Sequence, residues 1–441
     1  MFRLVSRRLA CPRVAAAAWL ILSALALAAC QGKTITGSPE QPQATRPPIQ
    51  PGPENAPVTQ TPLPSPGGPG GAKVRVALLL PLSGQNAALG NAMLDAAQMA
   101  LYDVADDKLE LLPRDTQGTA EAAAVAARAA INEGARLIIG PLLAAEVEAV
   151  KPVARTASVP VVAFSTATQL AGDGTYLMGF LPRQEIERVV AFAHSRGVNR
   201  FAVIAPRTPY GDIAVEALRA ATQANGATLE RVEIYDPGAQ NLTPSVQHLV
   251  GATMDPAVRA KILSKPGAAG AAAAADLPEI VIPFDAVLVP EGGTRLKSVA
   301  PLLPYYDVEP EKVHFLGTGL WDEPGLGTEP ALAGGWYAAP PPGARADFDQ
   351  RFRELYRRPP PRLATLAYDA TALAAVLARS AGGADFSPAA LTNASGFAGV
   401  DGIFRLRADG LIQRGLAVLE VHRNGNTVIS PAPTTFQAIG Y

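Results

Sequence analysis

The sequence has 441 residues, a formal net charge of −1 and 48% hydrophobic side chains, which is enough apolar material for more than one hydrophobic core. The nearly balanced charge argues against a nucleic-acid-binding protein, which would carry a basic surface. The only two cysteines are Cys11 and Cys30. If the chain is exported and loses Cys11 with its leader peptide, Cys30 has no second cysteine with which to form an internal disulfide.

Residues 1–29 have the pattern of a secretory signal peptide. Four arginines precede an apolar run of 16 residues, which is shorter than the ~20 that a membrane span needs, although an anchor helix is the alternative. The run ends in Leu27-Ala28-Ala29-Cys30, which resembles a bacterial lipobox and so implies cleavage before Cys30 and lipidation of its thiol. Gln31 follows, and by the Gram-negative sorting rule this resemblance implies the outer membrane. The cleaved chain would carry 34 basic and 39 acidic side chains, a net charge of −5.

Residues 31–72 have the composition of a disordered linker. They include 11 prolines and 7 glycines and almost no large apolar side chain, so they cannot bury enough surface to fold. With the lipidated Cys30 they form a predicted tether, 30–72, that would let the folded part search for a partner at a distance from the membrane. An inert spacer is the alternative.

From Lys73 onward, buried strands alternate with helices of roughly 12 to 16 residues, which predicts an α/β fold with parallel sheets and helices on their faces. The apolar runs and helical periodicities predict strands over 74–80, 109–113, 137–139, 160–164, 176–181, 201–205, 229–235, 285–289 and 313–316, and helices over 142–157, 184–196, 212–225 and 363–379. Residues 240–282 are predicted to be irregular. In the tail, strands over 403–407 and 416–422 flank Ala408-Asp409-Gly410, which is typical of a hairpin.

The segment 135–168 offers the strongest candidate for a binding cleft. Each of its two strands ends in small or hydroxyl-bearing residues. Those that follow the second strand are Ser165-Thr166-Ala167-Thr168. Ligands bind outside the carboxyl ends of parallel strands, so these residues would line a cleft. The alternative is that the hydroxyls only cap the following turn.

Catalytic motifs are missing from the sequence. The four histidines are far apart, no cysteine remains for zinc or nucleophilic chemistry, and there is no Gly-x-Ser-x-Gly elbow, phosphate loop or Gly-x-Gly-x-x-Gly fingerprint. We therefore predict a non-catalytic binding protein with no cofactor and no metal site.

The order of several motifs resembles the type I periplasmic binding proteins, in particular the leucine/isoleucine/valine-binding type. The motifs are VALLLPLSG, IIGPL, VPVVAFSTAT and FAVIAPRTPYG. The resemblance implies two Rossmann-like lobes with parallel sheets, joined by three crossovers, that close on a ligand. Lobe 1 would comprise 73–181 plus 338–397, and lobe 2 would comprise 182–337 plus 398–430.

The resemblance also implies a set of residues that line the ligand cleft. On the first lobe, Ser83 and Gly84 follow the first strand, Leu142 and Leu143 stand where the family often has hydroxyls, and Ser165, Ala167 and Thr168 would bind a ligand carboxylate. On the second lobe, Tyr210 would lie beside the ligand, and Glu291 and Trp321 lie near the positions that hold an amino group.

Other segments resemble lipoprotein activators of penicillin-binding proteins, which share this fold. The similar segments are LLLPLSG, IIGPLL and FDAVLVPEGGTRLKSVAPLLPYYDV followed by FLGTGLWDEP. This resemblance, together with the lipobox and the tether, implies a periplasmic lipoprotein that activates a peptidoglycan synthase and so acts in cell-wall synthesis. The alternative is the substrate-binding protein of an ABC transporter, whose partners would be a permease and an amino acid or related small carboxylate.

Overall fold

The structure, a computed structural model, describes residues 73–104, 108–264 and 281–436. The predicted signal peptide, Cys30 and the linker lie outside the described residues. Within the described part, no helix is long and apolar enough to cross a membrane.

The first lobe is built on a five-stranded parallel sheet with the strand order β2-β1-β3-β4-β5. β1 is buried on both faces, because Leu78 and Leu80 pack toward one helical layer whereas Ala77 and Leu79 pack toward the other. The elements are β1 (Val74–Leu80), α1 (Ala87–Val104), β2 (Leu109–Asp115), α2 (Ala120–Asn132), β3 (Ala135–Ile139), α3 (Ala144–Thr156), β4 (Val161–Ala163) and β5 (Thr175–Leu177).

The second lobe is built on a seven-stranded sheet with the strand order β15-β14-β10-β9-β8-β6-β7. Its strands are parallel except for β14 and β15, which are antiparallel to their neighbours. The elements are α4 (Pro182–Ser195), β6 (Arg200–Pro206), α5 (Pro209–Ala224), β7 (Thr228–Tyr235), α6 (Thr243–Val250), α7 (Pro256–Leu263), β8 (Ala286–Leu288), α8 (Gly293–Val299), α9 (Leu302–Tyr305), β9 (His314–Gly317), β10 (Trp336–Ala339), β14 (Ala417–His422) and β15 (Gly425–Ser430).

The chain returns to the first lobe after β10. Phe348 and Phe352 of the next helix pack on α1, and Leu366 of the following helix joins the core beneath β1. A small antiparallel sheet, β11-β12-β13, then packs Phe404 and Ile412 into that same core. The elements are α10 (Pro342–Tyr356), α11 (Ala364–Ala378), α12 (Pro388–Leu391), β11 (Phe397–Gly399), β12 (Gly402–Leu406) and β13 (Ile412–Arg414).

The two lobes are joined by three crossovers, as the resemblance implied. The chain crosses between β5 and α4, between β10 and α10, and between β13 and β14. The fold is therefore the predicted α/β fold with two lobes. Residues 402–414, which the sequence assigned to lobe 2, pack with the first-lobe core. The other limits of the two lobes stay a prediction.

Two local predictions are wrong. The predicted hairpin does not pair 403–407 with 416–422: the turn at Ala408–Gly410 pairs β12 with β13, and β14 pairs with β15 around a second turn at Asn424. β12 and β14 belong to different sheets, because the chain crosses between the lobes at Gly415. The segment 240–282, predicted to be irregular, contains α6 and α7 among its described residues.

Candidate functional site

The carboxyl ends of β1 and β2 are tied together by one carboxylate. Asp115 Oδ1 accepts hydrogen bonds from the backbone amides of Leu82 (2.9 Å), Ser83 (3.2 Å) and Gln117 (2.8 Å). Burial acts to raise the pKa of Asp115, but the hydrogen bonds from the Ser83 side chain and from these amides lower it below its usual value. Gly84 lies in this loop with φ +78°, which favours glycine. Asp115 therefore fixes the exposed loop that contains Ser83 and Gly84.

The start of α3 is fixed by a second, buried carboxylate. Glu146 Oε1 accepts a hydrogen bond from the Thr116 hydroxyl (2.5 Å), and Oε2 accepts one from the Leu143 amide (3.0 Å). Burial raises the pKa of Glu146, although these hydrogen bonds act to lower it. Leu142 is buried beside this cap, and the Leu143 side chain is partly exposed. At this place the chain presents apolar side chains rather than hydroxyls.

The loop after β4 has both a satisfied and a free hydroxyl. Ser165 is buried, and its Oγ accepts a hydrogen bond from the Ala167 amide (3.2 Å), so the turn-capping alternative describes this residue correctly. Thr168 is exposed, and no hydrogen bond of its hydroxyl is found among the described residues. The Phe164 amide donates to the Pro141 carbonyl (3.0 Å), which places this loop beside Leu142. The loop after β4 and the loop before α3 are therefore neighbours at this edge of the first lobe.

The corresponding edge of the second lobe is held by phenol groups. The hydroxyls of Tyr210 and Thr318 are 2.9 Å apart, and the Tyr235 hydroxyl donates a hydrogen bond to Glu291 Oε1. Burial raises the pKa of both tyrosines, and the Glu291 charge adds to this effect. Both phenols are therefore neutral hydrogen-bonding groups. Glu291 and Tyr210 are each partly exposed at the carboxyl ends of their strands.

Trp321 lies in the second-lobe core rather than on the surface of the cleft. Its side chain is fully buried, and its indole Nε1 donates to the Val289 carbonyl (3.2 Å). A Cβ at Gly317 would lie 2.1 Å from the indole ring, and one at Gly335 would lie 2.8 Å from it. These two glycines form the slot that takes the indole, so the ring offers no surface to a ligand in this conformation. Leu320, the preceding residue, is 43% exposed instead.

A network of arginines and carboxylates joins the lobes near the crossovers. Arg362 contacts Asp401 of the first lobe (2.9 Å) and Asp322 of the second lobe (3.4 Å), and its guanidinium lies 4.0 Å from the centre of the Phe180 ring. Arg345 also pairs with Asp322 (2.8 Å). These contacts bind the second-lobe edge to elements of the first lobe.

Two more buried groups extend this network. Arg414 donates to the Met178 carbonyl (2.9 Å), and Asp369 accepts from the Val400 amide (2.8 Å). Burial and the neighbouring Asp401 raise the pKa of Asp369 to about 7, against the opposing charge of Arg414. Sequence reasoning missed this network, because its members are single charged residues that come from distant parts of the chain.

The structure brings together most of the predicted cleft residues, in two groups. Ser83, Gly84, Leu142, Leu143, Ser165, Ala167 and Thr168 lie on loops at the carboxyl edge of the first sheet, and Tyr210 and Glu291 lie at that of the second. Trp321 is placed by the same edge but points into the core. Within the described residues, no group of three or more His, Cys, Asp or Glu side chains is arranged to hold a metal ion.

Comparison with known proteins agrees with this architecture. Residues 73–426 match the family described as periplasmic binding protein. The chain belongs to the periplasmic binding protein family. The two lobes, their parallel sheets and the three crossovers are those of its type I, leucine-binding-like branch. Membership of this family indicates a periplasmic location. No curated protein matches the sequence.

Solved structures share the fold at low sequence identity. The periplasmic ligand-binding protein of a branched-chain amino acid ABC transporter from Burkholderia xenovorans LB400 has a TM-score of 0.63 and 16% identity, covering 82% of this chain and 96% of that one. The branched-chain amino acid transporter substrate-binding protein of Streptococcus pneumoniae, in complex with isoleucine, has a TM-score of 0.54 and 16% identity, covering 81% and 100%.

A third similar structure has a different type of ligand. The solute-binding protein of an ABC transporter from Rhodopseudomonas palustris BisB5, in complex with 3,4-dihydroxybenzoic acid, has a TM-score of 0.56 and 16% identity, covering 82% of this chain and 99% of that one. The shared fold therefore does not by itself specify a ligand.

Proposed function

We propose that this chain is the solute-binding protein of an ABC transporter and that it captures a small carboxylate, such as an amino acid or a related acid, between its lobes. The observation that carries the proposal is the pair of polar edges at the carboxyl ends of the two sheets. The first exposes the Thr168 hydroxyl, and the second presents Tyr210 and the Glu291 carboxylate. The transporter proteins with this fold, of which one binds isoleucine and another an aromatic acid, support it.

The chemistry of the two edges defines the ligand further. Thr168 and the loop amides around Ser165 suit a carboxylate, because they are hydrogen-bond donors on a short, constrained loop. Glu291 suits an ammonium or hydroxyl group at the other end of the ligand. Leu143 and the exposed Leu320 would contact an apolar body between the two polar ends. The three crossovers would serve as the hinge for closure around it.

Calorimetry of the purified chain with a panel of aliphatic amino acids, their amides and aromatic acids tests the proposal. We expect binding of one carboxylate class, no binding of the matching amides, and loss of binding in the double variant Ser165→Ala with Thr168→Ala. Thr156→Ala is the matched control, because its exposed hydroxyl bonds to Pro152 at the far end of α3. Failure of every acid on the panel to bind would reject solute capture.

A second candidate is activation of a peptidoglycan synthase by a lipoprotein of this fold. It is favoured by Leu142 and Leu143, which stand where hydroxyls would bind a ligand carboxylate, and by the burial of Trp321, which leaves no aromatic surface for an amino group. A pull-down with the chain as bait, combined with a glycan polymerisation assay, tests it. No synthase in the pull-down and an unchanged polymerisation rate would reject this candidate.

Both candidates share the proposed lipid anchor at Cys30 in the outer membrane. Metabolic labelling with an alkyne fatty acid should label the wild-type chain and not Cys30→Ala. After membrane fractionation, we expect the labelled chain with the outer membrane. Release of the wild-type chain into the soluble periplasmic fraction would contradict the anchor without affecting the proposed solute binding.

A further inference from the structure

Glu185 is a buried carboxylate that neither half of the predicted site included. It lies in the first turn of α4, immediately after the first crossover, and is only 5% exposed. Its Oε2 accepts a hydrogen bond from the backbone amide of Gly319 (2.8 Å). This bond joins the start of α4 to the turn that follows β9 at the second-lobe edge. A buried ionisable group in such a place is costly unless it has a structural or functional partner.

The contact between Glu185 and this turn is direct and leaves no spare room. A Cβ at Gly319 would lie 2.6 Å from Glu185 Oε1, so the carboxylate packs against the bare backbone. The residues on either side form the second-lobe edge of the site: Thr318 contacts the Tyr210 hydroxyl, and Leu320 is exposed. The contact of Glu185 therefore lies between Thr318, which is buried and holds the Tyr210 hydroxyl, and the exposed Leu320.

Charged groups from several elements act on Glu185. Burial raises the pKa of Glu185 to about 7, against the Gly319 amide and the charges of Arg362 and Arg414, while Asp322 raises it further. From α5, the neutral Tyr210 faces it. On the neighbouring strands, His314 of β9 and Glu420 of β14 contact Trp336 instead. His422 of β14 pairs with Glu420, and the Tyr337 hydroxyl of β10 accepts a hydrogen bond from Asn426.

We propose that Glu185 is a positioning residue for the second-lobe half of the ligand site, and that the protonation state of its carboxyl sets the position of the turn Gly319–Trp321. The ionised carboxylate accepts a charge-assisted hydrogen bond from the Gly319 amide and is attracted to Arg362 and Arg414. The protonated carboxyl loses that attraction, and its hydroxyl oxygen becomes a donor, so only its carbonyl oxygen can still accept the weaker, uncharged hydrogen bond from the Gly319 amide. The ligand-facing consequence rests on the proposed solute binding, whereas the link between Glu185 and the turn does not.

The fluorescence of Trp321 tests this link without any ligand. Trp321 ends the turn, and the sequence has only two other tryptophans, Trp19 and Trp336. In a background with both changed to phenylalanine, we expect the Trp321 emission to change between pH 5 and 9 in one transition centred within about one unit of pH 7. Glu185→Gln keeps an acceptor for Gly319 but cannot titrate, so the transition should disappear.

Two controls separate this role from a general effect on folding. Glu187→Gln removes an exposed carboxylate from the same helix and should leave the transition unchanged. Asp322→Asn removes a charge that opposes ionisation of Glu185, so the transition should move to lower pH; this variant also serves if Glu185→Gln does not fold.

The outcome is independent of solute binding. The same transition should persist in Ser165→Ala with Thr168→Ala, which removes the proposed carboxylate contacts on the other lobe. A transition that survives in Glu185→Gln, or a wild-type emission that stays constant from pH 5 to 9, would overturn the role of Glu185. Neither result would bear on whether the chain binds a carboxylate.

Discussion

The two edges that would line the proposed cleft are held in different ways. On the first lobe, Asp115 and Glu146 bind backbone amides and a hydroxyl. The loop held by Asp115 exposes Ser83, and the separate loop after β4 exposes Thr168. On the second lobe, side chains bind one another or the core: Tyr210 with Thr318, Tyr235 with Glu291, and Trp321 with Val289. The first edge leaves the Thr168 hydroxyl without a hydrogen bond among the described residues, whereas the second edge uses most of its polar groups to fix its own shape. Changes at the second edge should therefore cost more stability than changes at the first.

The largest effect is expected at Trp321. Replacement of a fully buried tryptophan by alanine leaves a large cavity, so Trp321→Ala should lower the free energy of unfolding by about 3–5 kcal/mol. Urea denaturation measures this loss. Trp336, which is also buried but lies on β10, gives a comparison within the same lobe. A loss below about 1 kcal/mol would mean that the second-lobe edge does not depend on this side chain.

The next effect is a dependence of stability on pH that comes from the junction between the lobes. The pKa of Glu185 is about 7 in the folded chain and 4.5 in its unfolded reference, so the folded state holds this proton more tightly. Its contribution to stability is therefore complete below about pH 4.5 and is lost as the pH rises through 7. Asp369, with a pKa of about 7, acts in the same direction.

Glu185→Gln should remove about 2–3 kcal/mol of this loss between pH 5 and pH 8, because one pKa unit corresponds to about 1.4 kcal/mol and most of the shift falls in this range. Urea denaturation at a series of pH values compares the two slopes. If wild type and variant lose stability in parallel over this range, then the folded chain does not hold the Glu185 proton.

A smaller effect is expected at the first edge, from Glu146. Glu146→Ala removes the acceptor of the Thr116 hydroxyl and of the Leu143 amide and should lower the free energy of unfolding by about 1–2 kcal/mol. Glu148→Ala, an exposed position on the same helix, is the control and should change stability by less than about 0.5 kcal/mol. Equal losses in the two variants would mean that the cap does not hold this loop.

The smallest effect on stability is expected at Thr168. Its side chain is exposed and makes no hydrogen bond among the described residues, so Thr168→Ala should change the free energy of unfolding by less than about 0.5 kcal/mol. The same variant should weaken binding of the solute found by calorimetry by about tenfold, the value of one hydrogen bond of ~1.4 kcal/mol. If Thr168→Ala lowered the free energy of unfolding and left the affinity unchanged, the first edge would depend on this side chain for its own shape rather than offer it to a solute.

The local pattern of the sequence was sufficient for the order of strands and helices over most of the fold. Uninterrupted apolar runs such as 76–80 form strands only when both faces are covered, and this predicts a parallel sheet between helical layers. The same pattern also put the candidate residues of the first lobe at the carboxyl edge of its sheet, because the loop that follows a parallel strand lies at that edge. The tail was paired wrongly, since a turn sequence specifies a reversal of the chain but not which sheet the next strand joins.

What the sequence determined by itself was therefore the fold class and the edge at which a ligand site would lie, both of which follow from short-range periodicity. Only the tertiary structure decided which side chains at that edge remain exposed. Gly317 at the end of β9 and Gly335 just before β10 open the slot that buries Trp321 only once these two strands pair. Glu185 meets Gly319 across 134 residues, and Arg362 meets Asp322 and Asp401 only after the chain has crossed between the lobes. Such contacts depend on the packing of elements that are distant in sequence, and no local pattern encodes them.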